Sequence, residues 1–363
     1  MLNIKGGVHA KADVLAPLFC RDIVCLTETW LTEHDDQLPV TGYTCFAAHR
    51  PVCDRPGRPS GGVSVYVSDR LHTHVEFVKS AEDGSFLWMK LKRVVQDCPE
   101  VYFCVRYMPS KKLYKNSELK TPYACLQEDI LQFQGSGASV LVCGDMNART
   151  AEMDDFVRLS ELPDCINIPD EADDLPDYIP PRHNCDNGWN PSENWGPELL
   201  ELCKDTSLLI LNGRTPGDEA GKYTFGIASS SGRSAIDYFI ASAQCMSATM
   251  TLQVNEDAEV YCTDHHSVEL RMLCQPLSEY GHNSSRFSTV DRVRYDDQNA
   301  DAYEECLASL LHSQWMPLLM QSTNVDRLST ALADLALGIS AHHRASTDLC
   351  CLRLIQLMTS TCF

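Results

Sequence analysis

The chain has 363 residues, 44% of them hydrophobic and 22% charged, which is apolar material for one large core or two modest ones and excludes a disordered tail. Fifty acidic side chains against thirty basic ones give a formal charge of −20, so attraction to a polyanion cannot come from bulk charge and any nucleic-acid contact must be local. Eighteen cysteines are too sparse for a disulfide scaffold, and no Cys-x-x-Cys pair marks a structural zinc site.

Lys5, Gly6, Gly7 and His9 stand where a secretory apolar region belongs, and no apolar stretch is long enough to span a bilayer. A soluble intracellular protein, nuclear or cytoplasmic and without membrane contact, is expected. Short apolar runs bounded by turn residues predict strands over 22–26, 62–67, 86–91, 101–107, 139–143, 208–211 and 235–240. Helical patterns over 123–133 and 198–204 lie between them, and this alternation predicts an α/β domain over about residues 1–273. Cys25, Cys45, Cys104 and Cys143 fall in or beside the apolar runs and read as buried small hydrophobes.

From 162 to 195 the sequence is rich in Pro, Asp and Asn, which predicts a long acidic surface loop. Eleven acidic residues against Arg158 and Arg182 between Glu152 and Asp186 account for much of the negative charge. After Leu273 a polar linker is expected over 274–295 and a helical tail over 296–363. In that tail Tyr303, Leu307, Leu310 and Leu311 share one helical face, and Leu328, Leu332, Leu335 and Ile339 another. Core packing accounts for both stripes; a partner-binding helix is the other reading.

Several polar residues sit where an apolar run ends. Asp145 and Asn147 directly follow the run 139–143, at the carboxyl end of a predicted strand, where α/β sheets place their sites. Two residues apart, they point the same way if extended; an Asp-x-Asn turn explains them equally well. Glu28 ends the run 23–27, as a metal ligand or as a first-turn helix Glu. Asp264 and His265 precede another apolar strand and offer a general acid or base, with His265 needing an acid from elsewhere because its neighbour alternates in direction. Asp237 lies in the strand run 235–240, and a buried carboxylate there needs such a partner.

Taken in order, Leu2-Asn3, Glu28-Thr29-Trp30-Leu31, Gly61-Gly62-Val63, Tyr107-Met108-Pro109-Ser110, Gly144-Asp145-Met146-Asn147, Ile236-Asp237-Tyr238 and Asp264-His265 resemble the endonuclease/exonuclease/phosphatase superfamily. The strings 143–150 and Leu211-Asn212-Gly213-Arg214 look most like endonuclease domains of non-LTR retrotransposons. The resemblance implies a deoxyribonuclease-like two-sheet sandwich flanked by helices, and a Mg²⁺-dependent endonuclease, with Mn²⁺ as a substitute. It implies Glu28 as the metal ligand, with Asn3 and Asp264 beside it. Asp145 would orient or deprotonate the attacking water, Asn147 would hold the scissile phosphate, and Tyr107 would donate to it or support the leaving group. His265, held by Asp237, would stabilise the transition state. Such roles suit phosphodiester hydrolysis, which needs an in-line water and charge neutralisation on the nonbridging oxygens. The chain departs from the family in that Met1 stands two residues before Asn3 where the family has a full strand, so a shortened start is expected to leave an open sheet position; Thr263 also replaces the commoner Ser before the Asp-His pair, keeping its hydroxyl, and the acidic loop around Asp170 to Asp177 is unusually long.

DNA is the expected partner, held by its backbone with weak sequence preference. Lys111, Lys112, Lys115 and Lys120, with Tyr114 among them, follow Tyr107, and Arg50, Arg55 and Arg58 precede Gly61. Arg149, within the string 143–150, and Ser234, two residues before Ile236, join Lys111 and Lys112 as expected substrate contacts. The alternatives are a phosphatase or phospholipid diesterase on the same scaffold and a catalytically inactive binding module.

Overall fold

The structure, a computed structural model, describes residues 1–52, 60–112, 121–157, 179–186, 194–226 and 232–276. The chain divides into two units, Met1–Ser278 and Glu279–Phe363. The expected tail and most of the expected linker lie outside the described residues.

Four strands, β1 (Leu2–Asn3), β2 (Ile23–Thr27), β3 (Tyr43–Ala48) and β4 (Val63–Ser68), form one sheet in the order β1-β2-β4-β3, with the short helix α1 (Ala12–Leu15) between β1 and β2 in the chain. A second sheet contains β5 (Val75–Ser80), β6 (Phe86–Lys92), β7 (Glu100–Tyr107), β8 (Ser139–Asp145), β9 (Leu209–Ile210) and β10 (Asp237–Ala241), ordered β5-β6-β7-β8-β10-β9. A separate antiparallel pair joins β11 (Thr249–Val254) to β12 (Val268–Met272).

Strand β8 explains the layering. It reads as a continuous apolar run because it is central, parallel to β7 on one side and antiparallel to β10 on the other, with both faces covered. Leu141 and Cys143 turn toward the four-stranded sheet, where they meet Cys25, Val63, Val65, Phe103 and Phe239 in the inter-sheet core. Val140 and Val142 turn the other way, onto helices α2 (Pro122–Gln134) and α3 (Gly196–Thr206). Thr121 caps α2 by accepting the Ala124 N–H at 3.1 Å, and Pro122 opens its first turn. Tyr123, Leu126, Ile130 and Phe133, at three- and four-residue spacing, form its buried face.

This is the two-sheet sandwich flanked by helices that the motif order implied. The sequence reading did not mark β3, β5 or β11, and it noted β12 only as the apolar strand after His265. Strand β5 is at a sheet edge with Phe77 half exposed, and β3 is another edge strand that is mostly half-buried, so neither has the unbroken apolar run of β8. Within the expected surface loop, Arg182, Asn184 and Asp186 turn inward. Arg182 donates to Thr150 Oγ1 at 2.9 Å and Asp186 accepts the Ala235 N–H at 3.2 Å, so polar residues here pack by hydrogen bonding. No helix among the described residues is long and apolar enough to cross a membrane.

Candidate active site

Antiparallel pairing of β10 with β8 sets Asp237 directly opposite Asp145. Two adjacent carboxylates, 0% and 1% exposed, cannot both ionise freely, and burial, then the charge of Asp237, pushes the Asp145 carboxyl up to about 7. Gly144 makes the approach to β7 possible: its φ is +145°, and a Cβ there would stand 1.8 Å from the Arg106 carbonyl.

Asp237 is held by two groups far away in sequence. His265 donates from Nδ1 to Asp237 Oδ2 at 2.9 Å, and the Thr224 hydroxyl donates to the same oxygen at 2.8 Å. The Thr224 oxygen in turn accepts the N–H groups of Ile236 at 3.0 Å and Asp237 at 2.9 Å. The His265 ring is buried with Phe225 edge-on at 5.0 Å. Its Nε2 lies 3.9 Å from Asp145 Oδ2 and 3.8 Å from Asp264 Oδ1, so the adjacent Asp264 does approach the ring by way of its outer nitrogen. Burial disfavours a charged ring, but Asp237 and then Asp145 and Asp264 outweigh it and raise the His265 pKa to about 9. Ligand atoms of Asp145, Asp237 and His265 lie within 4.8 Å of one another. Asp237 already occupies Nδ1, which makes this group a hydrogen-bonded relay before it is a metal cradle.

Strand β1 brings in Asn3 from the other sheet. Its Nδ2 donates to Asp145 Oδ2 at 2.9 Å, while its Oδ1 accepts the Lys5 N–H at 3.1 Å. Thr263 donates to the Asn3 carbonyl at 2.9 Å and ties the His265 segment to β1. Asn147, read as extended or as an Asp-x-Asn turn, takes the turn. Its φ is +45°, its N–H donates to Asp145 Oδ1 at 3.0 Å, and its side-chain amide turns to the Met108 carbonyl at 2.6 Å. Tyr107, at the end of β7, pairs in register with Asp145 and is buried.

Glu28 follows β2 in a left-handed conformation, φ +50°, one residue beyond the register partner of Asn3. The residue is 8% exposed, and its carboxylate makes no hydrogen bond or ion pair to a described residue. Asp264 has one oxygen paired with the Lys5 ammonium and the other buried without a hydrogen-bond partner. The expected substrate contacts are less free. Lys111 pairs with Glu198 at 2.7 Å and lies over the Trp195 ring, and Arg149 Nε is 3.7 Å from Asp186. Lys112 is exposed, whereas Ser234 is buried, its backbone bridged to Phe225. Lys115, Lys120, Tyr114, Arg55 and Arg58 lie outside the described residues. Thr224 and Lys5 belong to the site and carried no sequence signal: each is a common residue whose role depends on a partner in another segment.

The model of the Endonuclease/Exonuclease/phosphatase family matches residues 2–265. Among solved structures, an AP endonuclease from Leishmania major is similar at a TM-score of 0.53 and 16% identity, over 76% of this chain and 86% of that one. The APE2 catalytic domain of Xenopus laevis is similar at a TM-score of 0.51 and 17% identity, over 77% and 92%. The endonuclease domain of TRAS1, a telomere-specific non-LTR retrotransposon, is more distant at 0.44 and 13%, over 76% and 97%. At these identities the likeness is one of fold. None of the curated proteins matches the chain.

Proposed function

The chain belongs to the Endonuclease/Exonuclease/phosphatase family, and from that footing we propose that it is a divalent-metal-dependent endonuclease that hydrolyses DNA phosphodiester bonds and leaves a 3′-hydroxyl. The observation that carries this reading is the chain of contacts from Thr224 through Asp237 to His265, whose free Nε2 faces the Asp145 carboxylate held by Asn3. A charged imidazole beside a carboxylate of raised pKa is suited to binding a phosphate that gains negative charge while a water loses its proton.

In this reading a water oxygen bonds to phosphorus as the bond from phosphorus to the 3′ oxygen breaks. Asp145 takes the water proton, and the departing 3′ oxygen receives a proton in return, with Tyr107 at the adjacent strand end as donor or support. His265 stays protonated and balances the charge on the nonbridging oxygens. Asn147 contributes its amide to the phosphate beside its contact with Met108.

The donor set fits a hard divalent cation. Glu28 offers a carboxylate with no other described partner, and Asp264 Oδ1 is a buried oxygen with no hydrogen bond. Glu28, with Asp264 and the Asn3 amide beside it, would hold Mg²⁺ or Mn²⁺, which supplies Lewis-acid charge neutralisation when bound.

Nicking of supercoiled plasmid by the purified chain tests the proposal. Cleavage that needs Mg²⁺ or Mn²⁺, leaves ends extendable by a polymerase and disappears in Glu28→Ala is expected. Hydrolysis of inositol phosphates or lipid phosphodiesters with plasmid left intact overturns the DNA reading, and no hydrolysis of any of them favours a binding module.

A further inference from the structure

The left-handed conformation of Asn147 costs free energy for any residue with a side chain and persists only where its neighbours enforce it. Asp145 holds it from inside the site. From the helix side it is held by the start of α3. The Trp195 N–H donates to the Asn147 carbonyl at 3.4 Å, and the Asn194 side-chain oxygen accepts the N–H groups of Arg149 at 3.1 Å and Gly196 at 2.7 Å. Gly196 lets the two segments touch, since a Cβ there would stand 1.9 Å from the Arg149 carbonyl.

The Trp195 side chain ties the same point to a second segment. Its indole N–H donates to the Pro109 carbonyl at 2.7 Å, and Pro109 follows Met108, whose carbonyl accepts the Asn147 amide at 2.6 Å. The Trp195 ring is buried with the Tyr123 ring beside it at 5.7 Å, and the Tyr123 hydroxyl donates to the Met146 carbonyl at 2.9 Å. The two aromatic residues thus hold a carbonyl on either side of the Asn147–Met108 contact. A side-chain amide has two N–H donors, so fixing one on Met108 fixes the direction of the other. The Lys111 ammonium, over the same ring at 5.4 Å, donates to the Asn194 carbonyl at 3.3 Å and adds a further tie between the segments.

We propose that Trp195, braced by Tyr123, is a positioning residue: it joins the 107–111 segment to the 145–149 segment and so aims the second N–H of the Asn147 amide at the scissile phosphate, an inference that rests on the reaction proposed for this site. Displacing such a donor by about 1 Å is enough to slow a reaction by up to about a hundredfold. In Trp195→Phe the ring packing stays while the Pro109 carbonyl loses its donor, and the Asn147 amide loses the fixed acceptor that aims it.

The test follows the Asn147 side-chain amide by NMR in the full chain, without DNA or metal, beside plasmid nicking. Trp195→Phe is expected to speed hydrogen exchange of that amide at least about tenfold and to lower kcat about tenfold with KM within about twofold. Tyr123→Phe, which removes only the hydroxyl on Met146, acts in the same direction at about threefold and carries the test if the Trp195 variant does not fold. Leu202→Ala opens the buried face of α3 about two turns away, and is expected to lower Tm with the Asn147 amide and kcat unchanged. Unchanged exchange at Asn147 in the folded variants overturns the proposal. So does equal loosening in Leu202→Ala, which would make the effect one of packing, or faster exchange with kcat retained. A natural chain that nicks no DNA defeats the nuclease reading instead, and the exchange measurement still decides whether Trp195 fixes Asn147.

Discussion

The strands β2 and β8 have two very different ends. At the carboxyl end, Asp145 accepts hydrogen bonds from Asn3 and Asn147, and Asp237 is held by both Thr224 and His265. At the other end, Phe103, Leu141 and Phe239 line an apolar cavity between β2 and β12. The difference shows what each end can do. Charged groups buried at close range are tolerable when each is held by donors, and the field they set up is then fixed before any substrate arrives. Apolar walls carry no such field; what they contribute is area removed from water.

The largest effect follows from breaking the first end at its centre. Asp145→Ala removes the carboxylate that both faces His265 Nε2 and is held by Asn3, so kcat is expected to fall at least about a thousandfold while DNA binding persists. Plasmid nicking and filter binding on the same preparation check the two halves of that statement. Loss of binding in step with activity would mean that Asp145 acts on substrate affinity.

Next in size is the charge that holds His265. Titrated by NMR without metal, the ring is expected near 9, the value its surroundings impose. Asp237→Asn removes the largest raising influence and leaves burial opposed only by Asp145 and Asp264, so the pKa should fall from about 9 toward the ordinary value, with kcat down about a hundredfold. The sign for stability follows from linkage. A histidine whose folded pKa is raised contributes fully below its unfolded value and loses that contribution as pH rises through the folded one. The stability advantage of the natural chain over Asp237→Asn should thus be greatest below about pH 6.5 and shrink toward pH 9. Urea unfolding at several pH values measures it, and an advantage that grows with pH would contradict the pairing.

How much of this was legible in the sequence depends on how local each signal is. The order of Glu28, Tyr107, Asp145, Asp237 and His265 along the chain foretold a sandwich, and β2, β7, β8 and β10 declare themselves as apolar runs because both their faces are covered. The Asp237 carboxylate announced itself by being polar within such a run. Thr224 did not, because one hydroxyl serving a side chain and two backbone N–H groups is visible only in three dimensions. The turn at Asn147 was one of two local readings, but the partner of its side chain, a carbonyl on the neighbouring strand end, is visible only in three dimensions. Lys111 looked like a free cation until α3 placed Glu198 beside it.

A smaller effect is expected at Thr224, where substitution separates positioning from packing. Thr224→Val keeps the shape but leaves two buried N–H groups and Asp237 short of a partner, at a cost of about 1–3 kcal/mol per unsatisfied group. With Asp237 less firmly oriented, kcat should fall about tenfold and the His265 titration should move, whereas Thr224→Ser restores both. A purely structural role would lower Tm in the Val variant and leave the His265 titration where it was.

The smallest effect lies on the substrate side. The Lys111 ammonium is held by Glu198 at 2.7 Å, both groups are about a quarter exposed, and the Trp195 ring lies beneath. Exposed pairs of this kind are worth little to stability, but each neutralised lysine is one fewer counter-charge for a phosphate. Glu198→Gln should leave Tm nearly unchanged and free Lys111 for the DNA backbone, lowering KM about threefold at low salt with kcat unaltered. The gain should vanish as salt is raised, because screening removes the contribution of a single added contact. Lys112→Glu, at an exposed position, should act in the opposite sense and raise KM. A KM that ignores both substitutions would remove this face from the DNA path and leave binding to the charges around Asp145 itself.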